Sequence, residues 1–419
     1  MEPRPVPHHV TTVPPVPAFG VTVPQTGPFG APVLLMVMAG FMQVSFASWS
    51  ALQYNFASEW LGFTGFEIGV QQSIREIPGF LSFLAVFLLF LAREQTIAYL
   101  SLVMLGVGVA ATGWFPTALG FYLTTFIGSV GYHYYETMHQ SLTLQWLPKD
   151  RAPVIMGRIL GVAGFAQLAA YALIFVAGRT FDIGYPTLFM VAGGVTLIGV
   201  ALMWRLWPTF PEGTAQTRKL ILRRRYWLYY ALTFMSGARR QIFLVFASWM
   251  MVERFGYAFH EIAALFFANA ALLMVTGPLI GKIVAKLGER RTLLIEYSGL
   301  VIVFTAYAFV SDPTVAVVLY LLDHALFAMA IALKTYFQKI ADPADIAFTT
   351  GVAFTINHIA AVFIPVFFGL VWLWSPAAVF LAGAAMGATS FALATLVPEA
   401  PEPGRETRLS APRGALSQV

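Results

Sequence analysis

Apolar residues run through this chain in long blocks, each about the 20 residues that a helix needs to cross a bilayer. The blocks predict helices over 33–57, 67–91, 95–113, 117–146, 152–178, 185–206, 226–253, 259–287, 291–310, 313–340, 344–373 and 375–397, twelve in all. Short breaks between them carry Pro or Gly, as at Phe115-Pro116, Ser311-Asp312-Pro313 and Ser375-Pro376. The longest internal break, 207–225, ends in the basic run "RKLILRRR" at 218–225 and separates spans six and seven. The expected organisation is a tail at 1–30, six helices in 31–206, a basic linker at 207–225, six more helices in 226–397 and a tail at 398–419. Both tails are Pro-rich and are expected to be disordered; the first has eight prolines and no apolar segment, so it does not read as a signal peptide.

Composition strengthens this picture. Hydrophobic residues make up 58% of the chain and charged residues 11%, against about 25% charged in a soluble domain. The apolar excess is spread over nearly the whole length, so no single soluble core could absorb it. The class is an all-α polytopic membrane protein. There is no cysteine, which excludes disulfides and thiolate metal sites.

The net charge of +5 is explained by where the cations lie. With the N-terminus in the cytoplasm, nineteen of the 25 Lys and Arg fall in cytoplasmic tails, loops and helix ends. Two, Arg179 and Arg254, fall outside, and four (Arg75, Arg239, Arg240 and Lys334) fall within the membrane. This bias orients both termini to the cytoplasmic side of a cell, or inner, membrane. The 218–225 run reads as a topology anchor beside anionic lipid, not as a nucleic-acid site.

The two halves echo one another. Phe46-Ala47-Ser48-Trp49 in span one returns as Phe246-Ala247-Ser248-Trp249 in span seven. Glu67 opens span two as Glu261 opens span eight, and His133 in span four matches His324 in span ten. Matching order and spacing indicate a duplicated six-helix unit. Six is even, so the two copies are parallel repeats about an axis along the membrane normal.

Twelve spans, a 6+6 repeat and a basic central loop resemble the major facilitator superfamily of secondary transporters. The resemblance covers about 33–397 and includes "GKIVAKLGERR" at 281–291, which is similar to that family's loop signature. Gly281, Lys286, Gly288, Arg290 and Arg291 fit it, while Ala285 stands where an acidic residue belongs. The resemblance implies that this loop helps lock a gate; the departure implies a lock built differently. The loop after span two, "LAREQT", does not match, and Thr124 precedes Gly128 where an arginine of span four is expected. The Gly-Pro pair of the antiporter signature is absent from "GRILGVAGFAQ" at 157–167. The resemblance also implies a single working subunit; no cofactor is expected.

A charge at mid-bilayer costs at least ~3 kcal/mol, so each intramembrane charge needs a partner or a water-filled cavity. Arg239 and Arg240 lie about 20 Å along span seven by helical rise. Successive residues point about 100° apart, so one arginine is expected to face a central cavity and one to pair with a carboxylate or a helix end. A guanidinium grips a carboxylate or phosphate in two places; a structural ion pair is the competing reading. Arg75-Glu76, before Pro78-Gly79, reads as a pair reaching different helices, near a bend. In "GYHYYETMHQ", His133 and Glu136 share a helix face, which suits either proton exchange or a satisfied polar cluster. A metal held by His133, Glu136 and His139 alone is disfavoured, because their spacing drifts around the helix.

In span ten, Asp323 and Lys334 lie on one stripe but ~16 Å apart by helical rise. Asp323 is therefore expected to partner Arg239 or Arg240 or, with His324, to exchange protons. Gln43, Trp49, Gln53, Asn55 and Asn357 complete a candidate lining, and His358 reads as a core histidine. The leading reading is a secondary transporter of a small organic anion, whose partners are that solute, protons and the bilayer. One alternative is a carrier of metal ions or chelates using the histidines. Another is a protein of this family that assists assembly and transports nothing. No nucleotide loop or catalytic constellation points to an enzyme.

Overall fold

The apolar blocks fold as helices, and the breaks within them are informative. The computed structural model describes residues 23–89, 91–147, 152–181, 183–211, 223–342 and 346–410 of the chain. The first half contains α1 (Ala31–Leu61), α2 (Gly65–Phe80), α3 (Ala85–Leu88), α4 (Glu94–Thr112), α5 (Ala118–Trp146), α6 (Ala152–Thr180) and α7 (Tyr185–Leu206). The second contains α8 (Trp227–Ile242), α9 (Ser248–Glu253), α10 (Phe259–Leu287), α11 (Glu289–Phe309), α12 (Pro313–Phe327), α13 (Ile331–Ile340), α14 (Ile346–Trp374) and α15 (Pro376–Ala394). Tighter or wider turns at 82–84, 243–247 and 328–330 join α2 to α3, α8 to α9 and α12 to α13, so the helices form twelve runs.

Nine runs among the described residues are long and apolar enough to cross a membrane by themselves. The other three are α2–α3, α5 and α8–α9. Each carries at least two ionisable side chains in its middle: Arg75 and Glu76, His133 and Glu136, Arg239 and Arg240. These side chains lower the hydropathy of all three runs, and α2 is besides only 16 residues long. α2 gives way to a 3₁₀ turn just after Pro78-Gly79, as a proline in a helix predicts. In the seventh run the helix widens into a π turn over Phe243–Ala247, within one turn of the two arginines. Such turns concentrate at functional places.

The Glu67/Glu261 echo has a local cause. Glu67 accepts from the Thr64 amide at 2.9 Å, and Glu261 accepts from the Ala258 amide at 2.9 Å. Both cap the first turn of their helix, where a carboxylate satisfies an orphan donor and meets the positive end of the dipole.

The halves meet most closely through α2 and α14. A Cβ on Gly69 would stand 2.3 Å from the Pro365 carbonyl oxygen, so the two backbones touch and only hydrogen fits there. In lipid, where no hydrophobic force drives helices together, close approach of this kind supplies the attraction. Trp372 of α14, which a Cβ on Gly65 would strike at 2.1 Å, is held within its own half by stacking on Phe246 and donating to Glu253 at 2.7 Å. Asn55 of α1 donates to the Tyr257 carbonyl at 2.6 Å, and Phe259 of α10 packs on Tyr185. These contacts lie toward the end of the bundle opposite the chain termini.

Two expectations need correction. The end of the chain is not wholly free: Arg408 donates its amide to Leu396 at 2.8 Å, Tyr336 donates to the Glu406 carbonyl, and Glu406 and Thr407 are buried. Near the start, Gln25 donates to the Trp146 carbonyl at 2.9 Å, so 23–30 also packs against the first half. Tail residues 1–22 and 411–419, and linker residues 212–222, lie outside the described residues. The loop at 281–291 joins α10 to α11. Gly288 turns the chain at φ 78°, Lys286 and Arg291 are exposed, and Gly281 meets open space. Arg290 pairs with Glu399 at 3.2 Å, and buried Glu289 with Lys339 at 2.7 Å. These pairs tie the loop to its own half.

Candidate functional site

Between the two halves lies a cavity of about 430 Å³, walled by α1, α2, α4, α5, α6, α8, α9, α10, α12 and α14. That is within the usual range for a small-solute site. Arg75 and Glu76 reach it from α2, His133 from α5, Arg240 from α8, and Asn357 and His358 from α14. Trp49 closes one wall, with Gln53 beside it.

Arg75 does not reach across to another helix as the sequence suggested. Its guanidinium bonds the neighbouring Glu76 carboxylate at 2.5 Å. The other Glu76 oxygen lies 3.9 Å from His358 Nε2, and the His133 ring meets the His358 ring edge-on at 5.5 Å. Gly79 makes this junction possible. A Cβ there would stand 2.4 Å from His358 Cδ2 and 2.7 Å from His133 Cε1. Candidate ligand atoms of Glu76, His133 and His358 all lie within 4.8 Å of one another. His358 is thus not an isolated core histidine; it joins α14 to the α2–α5 wall.

The adjacent arginines part company. Arg240 is exposed to the cavity, with its guanidinium 5.6 Å from the Phe327 ring. No carboxylate lies within 4 Å of it among the described residues. Arg239 points the other way and is fully buried. It donates to Ser390 at 3.0 Å, covers the Tyr297 ring at 4.7 Å and lies 3.6 Å from Glu296. Asp323 is buried nearby and lines a smaller cavity of about 170 Å³ with Arg239, Arg240 and His324. Arg239's ion-pair partner within 4 Å is therefore Glu296, a residue the intramembrane reading missed. The signal was present: Glu296 is the sole acidic residue between 291 and 310, and the cost of a mid-membrane charge applies to it as to the others.

Other candidates fall elsewhere. Gln43 is half-buried and lines neither cavity, Lys334 is exposed on α13, and Glu136 is exposed on α5 outside both cavities. A helix turns about 100° per residue, so membership of a polar stretch does not place a side chain in the site. His324 lines both cavities and contacts the Tyr320 carbonyl at 3.0 Å through Nδ1. His139 is held by the Leu35 carbonyl at 3.0 Å and lines neither.

The sequence matches the profile of the Major Facilitator Superfamily over residues 33–365. The chain belongs to the Major Facilitator Superfamily. Solved structures of that fold superpose on most of it. A variant of the nucleoside transporter NupG aligns with TM-score 0.73 at 15% identity, covering 87% of this chain and 99% of its own. A bacterial homolog of the human lysosomal transporter Spinster, inward-facing and occupied, gives 0.72 at 12% identity, with 88% and 97% covered. The xylose transporter XylE from E. coli, partially occluded and inward open, gives 0.62 at 14%, with 88% and 98% covered. A search of curated proteins finds no match. A Major Facilitator Superfamily protein is a multi-pass membrane transporter, not an enzyme. In its architecture the midplane between repeats is where solute binds, and the 430 Å³ cavity lies between the two halves here.

Proposed function

We propose that this chain is a secondary transporter of a small organic anion, coupled to protons, working as a single subunit in the cell (inner) membrane with both termini cytoplasmic. The observation that carries the reading is Arg240. It presents a guanidinium to the cavity while Arg75 is already matched by Glu76. With the histidines neutral, the three ionised groups at the cavity sum to one positive charge, which a carboxylate or phosphate of the solute would neutralise. The contacts between halves gather at the end away from the termini, which supports an inward-facing form. Alternating access would then break the α2–α14 seal and rock the two halves about the cavity.

The cluster of Glu76, His133 and His358 favours a second reading, a divalent transition-metal carrier, since two imidazoles and a carboxylate suit such ions. The charges weigh against it. Arg75 occupies one Glu76 oxygen and Arg240 faces the same cavity, so a dication would enter an already positive site.

A thermal-shift screen of the purified full chain separates these readings. A ligand at 100 times its Kd adds about 2.7 kcal/mol to stability. We expect organic anions to raise Tm, and Arg240→Gln to abolish the shift and the uptake by proteoliposomes. Shifts with zinc or cobalt alone, lost in His358→Ala, would replace the anion by a metal. Uptake that survives both Arg239→Gln and Arg240→Gln would end the anion reading. A stably co-purifying partner without solute flux would favour the assembly role.

A further inference from the structure

The second half holds a buried charge cluster that the central cavity does not need. Arg239 and Glu296 have no exposed surface, and Asp323 is 3% exposed. They come from α8, α11 and α12, and α15 contributes the Ser390 hydroxyl. The 3.6 Å between Arg239 and Glu296 is an ion-pair distance, too long for a hydrogen bond. Among the described residues, both Glu296 oxygens and Asp323 Oδ1 have no hydrogen-bond partner. The surrounding titratable groups are Tyr297 and Tyr307 on α11, Tyr320 and His324 on α12, and Arg240 on α8.

The charges do not balance. Two buried carboxylates, Glu296 and Asp323, accompany one buried guanidinium, Arg239, and an uncompensated buried charge is strongly unfavourable. A single proton removes the excess and turns one unpartnered acceptor into a donor. Neighbouring carboxylates commonly share one proton in this way. A sodium ion would need several more oxygen ligands than these two side chains and Ser390 supply.

We propose that Glu296 and Asp323 form a proton-binding site, sharing one proton beside Arg239 and apart from the central cavity. The smaller cavity gives it a route. Asp323 lines that cavity together with Arg240, Leu244 and His324, and those last three also line the central cavity. A proton on Asp323 is thereby one step from the cavity where Arg240 waits for the solute. That this proton drives transport rests on the proton-coupled reading above; that it binds here does not.

Infrared spectroscopy of the full chain in lipid nanodiscs tests the site. The wild type at neutral pH is expected to show the C=O band of a protonated, buried carboxyl group. Either Glu296→Gln or Asp323→Asn leaves one carboxylate for one guanidinium, so each should remove that band. Absence of the band in the wild type would overturn the proposal, whether or not the variants fold. So would its persistence in a folded variant. A wild type without the band whose Tm rises with sodium, an increase lost in Asp323→Asn, would make this a sodium site instead. Proteoliposomes separate site from coupling. In Glu296→Gln, gradient-driven accumulation should fall to the equilibrium level while solute exchange continues. Wild-type uptake indifferent to a proton gradient, with the band intact, would sink the coupling and leave the site standing.

Discussion

Arg239 and Arg240 are neighbours in sequence and opposites in environment. The first is sealed among Glu296, Tyr297 and Ser390, and the second is exposed to a cavity between the halves. The same guanidinium therefore plays two parts. Buried against carboxylates, it holds helices of one half together, and removing it strands its partners. Beside water, it is a free charge that can meet a solute. The contrast shows that a charge in an apolar span is not evidence of a binding site until its partners are known.

The largest expected effect comes from swapping the two parts. Arg239→Gln leaves buried Glu296 without its ion-pair partner, and loss of one partner of a buried pair typically costs about 3–5 kcal/mol. Denaturant or thermal unfolding should show that loss, whereas Arg240→Gln should stay within about 1 kcal/mol of wild type and lose anion binding. Equal destabilisation by the two variants would break the comparison.

A smaller effect is expected at the seal between halves. Gly69→Ala puts a methyl group 2.3 Å from the Pro365 oxygen, and such overpacking costs about 1–3 kcal/mol. The strain is relieved if α2 and α14 separate. The chain has no native cysteine, so Ser50→Cys, which lines the cavity, reports this cleanly. In right-side-out vesicles, labelling by an impermeant thiol reagent should rise in Gly69→Ala; unchanged labelling would mean that the seal does not set the balance between states.

The smallest effect is a control. The Ser375 hydroxyl caps α15 by accepting the Ala378 amide at 3.2 Å, and Ser375→Ala should cost about 1 kcal/mol. It touches neither arginine, so it should lower Tm without changing the anion shift. A changed shift would show that solute binding follows general stability rather than Arg240.

Much of the architecture was legible because a bilayer imposes it. Backbone groups in lipid must bond internally, so apolar blocks of the right length become helices. Breaks at Pro and Gly and the paired Glu67 and Glu261 caps could be read from local chemistry. The site was legible only in part. The resemblance and the arginine pair pointed to span seven, but Gln43, Lys334 and Glu136 lie outside both cavities, while Glu296 and His358 carry contacts the linear reading did not assign. The tails misled for a different reason. Their Pro-rich composition suggests disorder, yet 398–410 finds hydrogen-bond partners on α13 and beyond α15 that no local pattern announces.

By itself, the sequence determined the membrane class, the helical runs and the repeat, and it showed that charges had been placed where they are expensive. Those properties follow from hydropathy, helix pitch and local capping, which act over a few residues. Tertiary structure decided which arginine is paired and which is free, brought His358 to Glu76 and His133 past Gly79, and set Asp323 beside Arg239 and Glu296. Each of these depends on how helices far apart in the chain rotate and cross. A rotation of one residue turns a side chain by about 100°, enough to move it from a dry interface to an open cavity.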